Sequence, residues 1–245
     1  MKICHISDTH NKHNEVQVPE CDVVVFTGDV GGRTNLVELT KFLIWFEKLP
    51  AKVKIIIAGN HDICLDKKWV DKQKSVGSIE HMFARQHFED AKKMIEIYEV
   101  VYLNETEYVY EGVKFFGSPY SPSFHRDNWV FNADRGAEIK KKWDKIPKDT
   151  NVLLTHSPAF GVLDMVSIEG RTDWHIDGHV GCQDLKLTIF NRLTDLKLHC
   201  SGHIHSNYGV VLEKISNRRS VLFSNGAVVD NGYNVLINKP LIIEI

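Results

Sequence analysis

Five short apolar runs in this chain each stop at a cluster of Asp, Asn or His, and that recurrence constrains the fold more than any other feature. The run at 53–58 ends in Gly59-Asn60-His61-Asp62. An unbroken run of this length reads as a strand buried on both faces, and a Gly at its end permits a sharp turn. Polar side chains then stand at the carboxyl end of a sheet strand, where open α/β folds build their sites. The other four ends are Asp8-Thr9-His10 after 2–6, Gly28-Asp29 after 22–27, Thr155-His156 after 152–154, and Gly202-His203-Ile204-His205 after 197–200. Any one of these alone reads as a turn, a helix cap or a hydrogen-bonded core histidine. Five at equivalent positions point to one shared pocket.

Between these runs, residues 34–48 carry apolar side chains at a 3.6-residue period and stop before Pro50. Residues 79–98, 137–145 and 185–196 read as further helices, and 100–103 as a strand. Residues 107–110 and 113–116, separated by Glu111-Gly112, read as a hairpin. The tail from 208 to 245 alternates β-type runs with Asn and Gly turns. Alternation of strand and helix in the front half implies a parallel sheet. The hairpins of the back half imply a second, mixed one. No repeat, low-complexity tract or linker divides the chain, so one α/β domain spanning 1–245 is expected. Two polar loops, 117–135 and 164–181, interrupt the pattern.

The chain has 245 residues, 43% hydrophobic and 25% charged, an ordinary globular balance. A net charge of −2 gives no field to gather long nucleic acid, whose binding needs many phosphate contacts. No apolar run approaches the ~20 residues of a membrane helix, and residues 1–5 lead into a strand rather than a signal peptide. Neither a membrane nor a long nucleic acid is therefore an expected partner. Five scattered cysteines, with no CxxC pair, suit reduced thiols in a cytoplasmic compartment.

Thirteen histidines are the unusual feature of the composition. Asp8, His10, Asp29, Asn60, His156, His203 and His205 together supply seven side-chain ligands. One must be shared if two ions are to reach ordinary coordination numbers. A carboxylate has two oxygens and can bridge, which makes Asp29 the natural choice. Imidazole with carboxylate and amide oxygen suits Mn²⁺, Fe, Zn²⁺ or Ni²⁺ better than Ca²⁺. Mn²⁺ heads the expected metals, and Mg²⁺ is an alternative. Two such ions ~3.5–4 Å apart clamp a phosphoester, activate a shared water as hydroxide and neutralise phosphoryl charge.

The block order D-x-H, G-D, G-N-H-[DE], H and G-H-x-H resembles the calcineurin-like metallophosphoesterase family, with all five blocks present between residues 8 and 205. The resemblance implies a four-layer αββα sandwich of two mixed sheets flanked by helices. It implies one metal held by Asp8, His10, Asp29 and His205, and a second by Asp29, Asn60, His156 and His203. It also implies that His61 contacts the phosphate and protonates the leaving oxygen, so that His61 and Asp29 are the catalytic pair. One block departs from the pattern. Many members continue the second block as G-D-x-x-D, and the last Asp orients the histidine acid; here that position is Gly32. Orientation of His61 must then come from elsewhere, and a Ser/Thr protein phosphatase is disfavoured.

Leu154-Thr155-His156-Ser157-Pro158, Phe116-Gly117-Ser118-Pro119-Tyr120 and His179-Val180-Gly181-Cys182 look like the small single-domain branch that includes class III-like and brain-type cyclic nucleotide phosphodiesterases. That resemblance implies hydrolysis of a small phosphodiester, a cyclic nucleotide or related nucleotide. A phosphomonoesterase or nuclease of the same fold, or a non-catalytic scaffold, are the alternatives. In the loop 117–135, Tyr120, Phe124, Trp129 and Phe131 offer faces for a base, and Asn132 and Arg135 offer polar contacts. His175 and His179 stand in the second polar loop, and His179 is a further candidate substrate contact.

Overall fold

A strand that is apolar on both faces must be covered on both, and the central strands show where each face goes. Val23, Val25, Ile55 and Ile57 face one core, while the alternate residues Val24, Phe26, Ile56 and Ala58 face another. Val152 and Leu154 share the first core, and Leu153 between them enters a third. Three apolar layers separated by two sheets follow from this alternation.

The computed structural model describes residues 1–72, 79–124, 129–166 and 178–245. In chain order the front half holds β1 (Lys2–Ile6), β2 (Cys21–Phe26), α1 (Leu36–Glu47), β3 (Ala51–Ile56), α2 (Lys67–Lys72), α3 (Ile79–Ile97), β4 (Val101–Tyr102), β5 (Thr106–Tyr110) and β6 (Val113–Ser118). There follow β7 (Ser121–Pro122), β8 (Asn132–Ala133), α4 (Ala137–Trp143), β9 (Val152–Thr155), α5 (Gln183–Asn191), β10 (Leu198–Ser201), β11 (Gly209–Ser216), β12 (Arg219–Asn225) and β13 (Leu241–Glu244). One sheet runs β13-β1-β2-β3-β4, parallel except for β13. The other runs β11-β12-β10-β9-β6-β5, parallel in the middle with antiparallel edges.

The sheets meet over Ile3, Val25, Ile55, Phe115, Leu154 and Leu198. Leu39, Phe42, Leu43 and Phe46 of α1 cover the outer face of the first sheet, with Ala91 and Ile95 of α3 beside them. Ile139 and Trp143 of α4, with Leu185 and Ile189 of α5, cover the second. The expected αββα sandwich is therefore the fold. Helix α1 starts where Asn35 accepts from the backbone N–H groups of Val37 and Glu38 while Glu38 reaches back to the Asn35 N–H, a reciprocal cap.

Some boundaries differ from the sequence reading. Residues 57 and 58 stay buried but leave the ladder, so β3 closes at Ile56. The loop 117–135 contains a small parallel ladder, Ser121 beside Asn132. The tail sends β13 back to the first sheet, antiparallel to β1. His175 lies outside the described residues. All five cysteines are free and buried, and burial pushes the Cys4 thiol up to about 12, which makes it no nucleophile. No described helix is long and apolar enough to cross a membrane.

Two buried histidines away from the strand-end clusters set an acid limit on the fold. His5 joins Ser224 Oγ at 2.7 Å and Thr27 Oγ1 at 3.0 Å, and His199 Nε2 joins Thr155 Oγ1 at 2.8 Å. Burial lowers each to about 3; for His5 the ring of His199 adds to this and Asp8 opposes it. The unfolded chain thus binds more protons below pH 6.5. Stability present above that pH is lost as pH falls from 6.5 toward 3. By pH 5 the loss is about 2 kcal/mol per histidine. Melting temperature between pH 7 and 5 should fall more steeply in the natural chain than in a His199→Gln variant.

Candidate metal centre

The five polar clusters leave their strands on one edge of the sandwich, and the backbone there is strained. Asp8, His10, Asp29 and His203 have φ of 53°, 40°, 61° and 67°, in the left-handed region that side chains with a Cβ seldom enter. Such strain gathers where surrounding structure holds it for function. Gly59 is needed for space rather than for backbone freedom. A Cβ there would lie 2.3 Å from Asp29 Oδ1 and 2.6 Å from His156 Cε1, while its φ is outside the left-handed region.

Among the candidate ligands, three imidazoles are oriented by the main chain. Nδ1 of His10 lies 3.0 Å from the Gly31 carbonyl, that of His156 2.8 Å from Thr27, and that of His205 2.9 Å from Asp230. A carbonyl only accepts, so Nδ1 donates and Nε2 is turned into the pocket, the arrangement that metal-binding histidines use. Nε2 of His10 is buried with no hydrogen-bond partner. Asp29 Oδ2 sits 3.3 Å from His156 Nε2, 3.8 Å from His61 Nε2 and 3.9 Å from His10 Nε2. Asp8 Oδ1 lies 3.2 Å from His205 Nε2, and Asn60 Oδ1 2.9 Å from His156 Nε2. Ligand atoms fall into three groups, each within 4.8 Å: Asp8 with His10 and His205, His10 with Asp29 and His61, and Asp29 with His156 and His203. The structure thus brings all seven expected ligands into one cluster.

The electrostatics are those of two buried carboxylates seeking positive charge. Burial opposes ionisation of Asp29, yet His156, His61 and His10 hold it well below the usual carboxylate range. Asp8 is likewise opposed by burial and held at about 2, chiefly by His205. His156 answers in the other direction: burial lowers it, but Asp29 and Asp8 lift it to about 9. Burial takes His10 down to about 4 and His203 to about 3, so both are neutral donors of a lone pair at pH 7. Two anions, neutral imidazoles and an unsatisfied buried nitrogen together fit cations.

His61 is oriented from a place that composition cannot reveal. Its Nδ1 donates to the carbonyl of Gly32, the position at which the resemblance would have put an Asp. Its backbone N–H donates to Asp29 Oδ1 at 2.9 Å. The neighbouring Asp62 was missed as a functional residue. Fully buried, it accepts from the N–H groups of Asp29, Val30 and Gly59 at 2.9, 3.0 and 2.7 Å, and from Thr34 Oγ1 at 2.5 Å. One carboxylate thereby clamps the Asp29 loop to the Asn60 loop. Asp62→Asn turns amide hydrogens toward those donors. The expected cost is about 2 kcal/mol, read as a melting temperature roughly 4–8 °C lower.

The aromatic residues of the loop 117–135 divide. Trp129 packs on His61 with ring centroids 4.3 Å apart, and Phe124 packs on His203 at 5.0 Å. Phe124 and Trp129 stack at 6.2 Å and 23°. Phe131, by contrast, is buried in the first sheet's outer core, and Tyr120 packs against it under Lys142 Nζ, 3.7 Å from the ring centre. These two pack the loop onto the domain. Arg135 donates to the Val180 and Gly181 carbonyls, tying the two polar loops together. His179 Nδ1 meets buried Asp164 Oδ1 at 2.5 Å. Asn132 stands in β8, its Oδ1 buried without a partner. Among the described residues, no hydrogen bond or ring contact joins Asn132, Arg135 or His179 to the ligand groups.

Known proteins resemble this chain in sequence and in fold. A family model for calcineurin-like phosphoesterases matches residues 1–207. Metallophosphoesterase domain-containing protein 1 of Homo sapiens is 31% identical, the alignment covering 98% of this chain and 69% of that protein. A UPF0046 protein of Caenorhabditis elegans is 32% identical, covering 100% and 75%. The crystal structure of TT1561 of Thermus thermophilus overlays with a TM-score of 0.52 at 12% identity, over 91% of this chain and 88% of that one, and shows the same fold.

Proposed function

Because this chain belongs to the calcineurin-like phosphoesterase family of metal-dependent phosphoesterases, we propose that it hydrolyses a small phosphodiester, a cyclic nucleotide or related nucleotide. The observation that carries this reading is the wall of Trp129 and Phe124, set against His61 and His203 at 4.3 and 5.0 Å. A base stacked there would hold its phosphate over the imidazole cluster, and such stacking is sequence-tolerant but demands a flat ring.

Asp8, His10, Asp29 and His205 would hold one divalent ion, and Asp29, Asn60, His156 and His203 the other. Mn²⁺ is the first choice from the donor set of imidazole, carboxylate and amide oxygen. When bound, the ions supply Lewis-acid stabilisation of the phosphoryl charge and a nucleophile at neutral pH. The chain's own residues do the rest. His61 presents Nε2 toward the pocket, where it holds the proton that the leaving oxygen takes. The Gly32 carbonyl keeps Nδ1 protonated through that transfer. Asp29 Oδ1 fixes the His61 backbone while its Oδ2 faces the three imidazoles. The buried free thiols support a reducing, cytoplasmic setting.

The test is a rate comparison on Mn²⁺-loaded protein: bis-p-nitrophenyl phosphate, p-nitrophenyl phosphate, and 3′,5′- and 2′,3′-cyclic nucleotides. Faster turnover of a diester than of the monoester supports the reading. Hydrolysis of the monoester alone, or of nothing, overturns it.

A further inference from the structure

The segment that follows the family-matched residues 1–207 also reaches the pocket. Its residue Tyr233 lies 4.2 Å from His10, 5.1 Å from His205 and 5.6 Å from His61, ring centre to ring centre. The placement is built rather than incidental. Asp230 closes a tight loop: its Oδ1 accepts from the N–H groups of Asn234 and Val235 at 2.7 and 3.0 Å. Its carbonyl accepts from the Tyr233 N–H at 3.0 Å and from His205 Nδ1 at 2.9 Å. The same peptide that orients a candidate ligand thus also sets the tyrosine. Tyr233 adopts φ of 60°, a conformation disfavoured for an aromatic residue, and remains 45% exposed over the cluster. The strained backbone and the three ring contacts set this side chain against the cluster while nearly half of it stays exposed.

From these contacts we infer that Tyr233 is a specificity-determining residue, which with Trp129 forms an aromatic slot beside His61 and selects esters whose leaving group is, or carries, a flat aromatic ring. Both rings touch the histidine that would protonate the leaving oxygen, Trp129 at 4.3 Å and Tyr233 at 5.6 Å. The group attached to that oxygen would then depart beside both rings. An aryl group, or the base carried by a nucleoside, can stack on either ring, whereas a branched or short alkyl group gains little there. The slot depends on a tail segment rather than on the shared blocks, so this chain's preference is set apart from the common chemistry. The inference rests on the proposed role of His61 but not on a choice between diester and monoester.

The experiment compares aryl and alkyl esters of one class, whichever class the natural protein hydrolyses: bis-p-nitrophenyl against dimethyl phosphate-type diesters, or p-nitrophenyl phosphate against glycerol phosphate. The natural protein, Tyr233→Phe and Tyr233→Leu are measured with Mn²⁺, alongside bound metal per chain. The expected result for Tyr233→Leu is a roughly tenfold fall in the aryl-to-alkyl ratio of kcat/KM, carried by KM of the aryl ester, with Tyr233→Phe retaining the ratio. An unchanged ratio overturns the inference. So does an equal fall on both esters, or loss of metal, either of which would make Tyr233 a support for His10 or His205. Failure of the diester reading alone would appear in the natural protein's own rates and would leave this ratio measurable.

Discussion

Asp29→Asn is expected to lower metal-dependent ester hydrolysis by roughly 10³-fold or more and to reduce bound metal to one ion per chain or fewer. Asp29 Oδ2 faces His10, His61 and His156 together, at 3.3–3.9 Å. Its carboxylate is held ionised against complete burial by those same rings. An amide of nearly equal size keeps the acceptor for the His61 N–H but removes the charge and half of the bridging capacity. A cation in a dry pocket feels that loss strongly, and two ions lose their shared partner at once. Because Asn conserves volume and the His61 contact, the fold should persist. Metal content by elemental analysis and a melting curve separate a lost site from a lost structure. An active, two-metal Asp29→Asn protein would refute the bridging role.

His61→Gln is expected to behave differently: metal content stays near that of the natural protein while kcat falls about 10²–10³-fold, the range of a lost general acid. The loss should be smaller with p-nitrophenolate, which leaves without a proton, than with a nucleoside alcohol. That dependence on leaving group is what a merely structural role would not give. Gly32→Ala is the companion variant. A Cβ at Gly32 meets nothing within 4 Å, and the carbonyl that receives His61 Nδ1 belongs to the main chain. Little change is expected there. A large loss in Gly32→Ala would show that the main chain at that position does not set His61.

The clustering of the seven candidate ligands was legible because each block is local: an apolar run sets a strand, and the residues after it must lie at its carboxyl end. What resisted reading was carried by atoms without residue identity or by distant chain. Gly32 orients His61 through a carbonyl, which every residue possesses. Asp62 stands inside a recognised block, yet its four donors come from two loops and Thr34, and only the folded backbone assembles them. Tyr120, Phe124, Trp129 and Phe131 look alike as a cluster of aromatics. Phe131, at φ of 52°, packs into the core, whereas Trp129 meets His61. Tyr233 and β13 come from a tail whose local pattern shows turns and short strands but not their destinations. A layered α/β fold was legible from the apolar runs and its αββα form from the family resemblance, while strand ends shifted by a residue or two where buried residues outrun the hydrogen-bond ladder.

The most direct measurement is anomalous diffraction from crystals grown with Mn²⁺. The account predicts two peaks ~3.5–4 Å apart, one beside Asp8, His10 and His205, the other beside Asn60, His156 and His203, with Asp29 between them. No peak in the pocket, or a single peak away from Asp29, would contradict it.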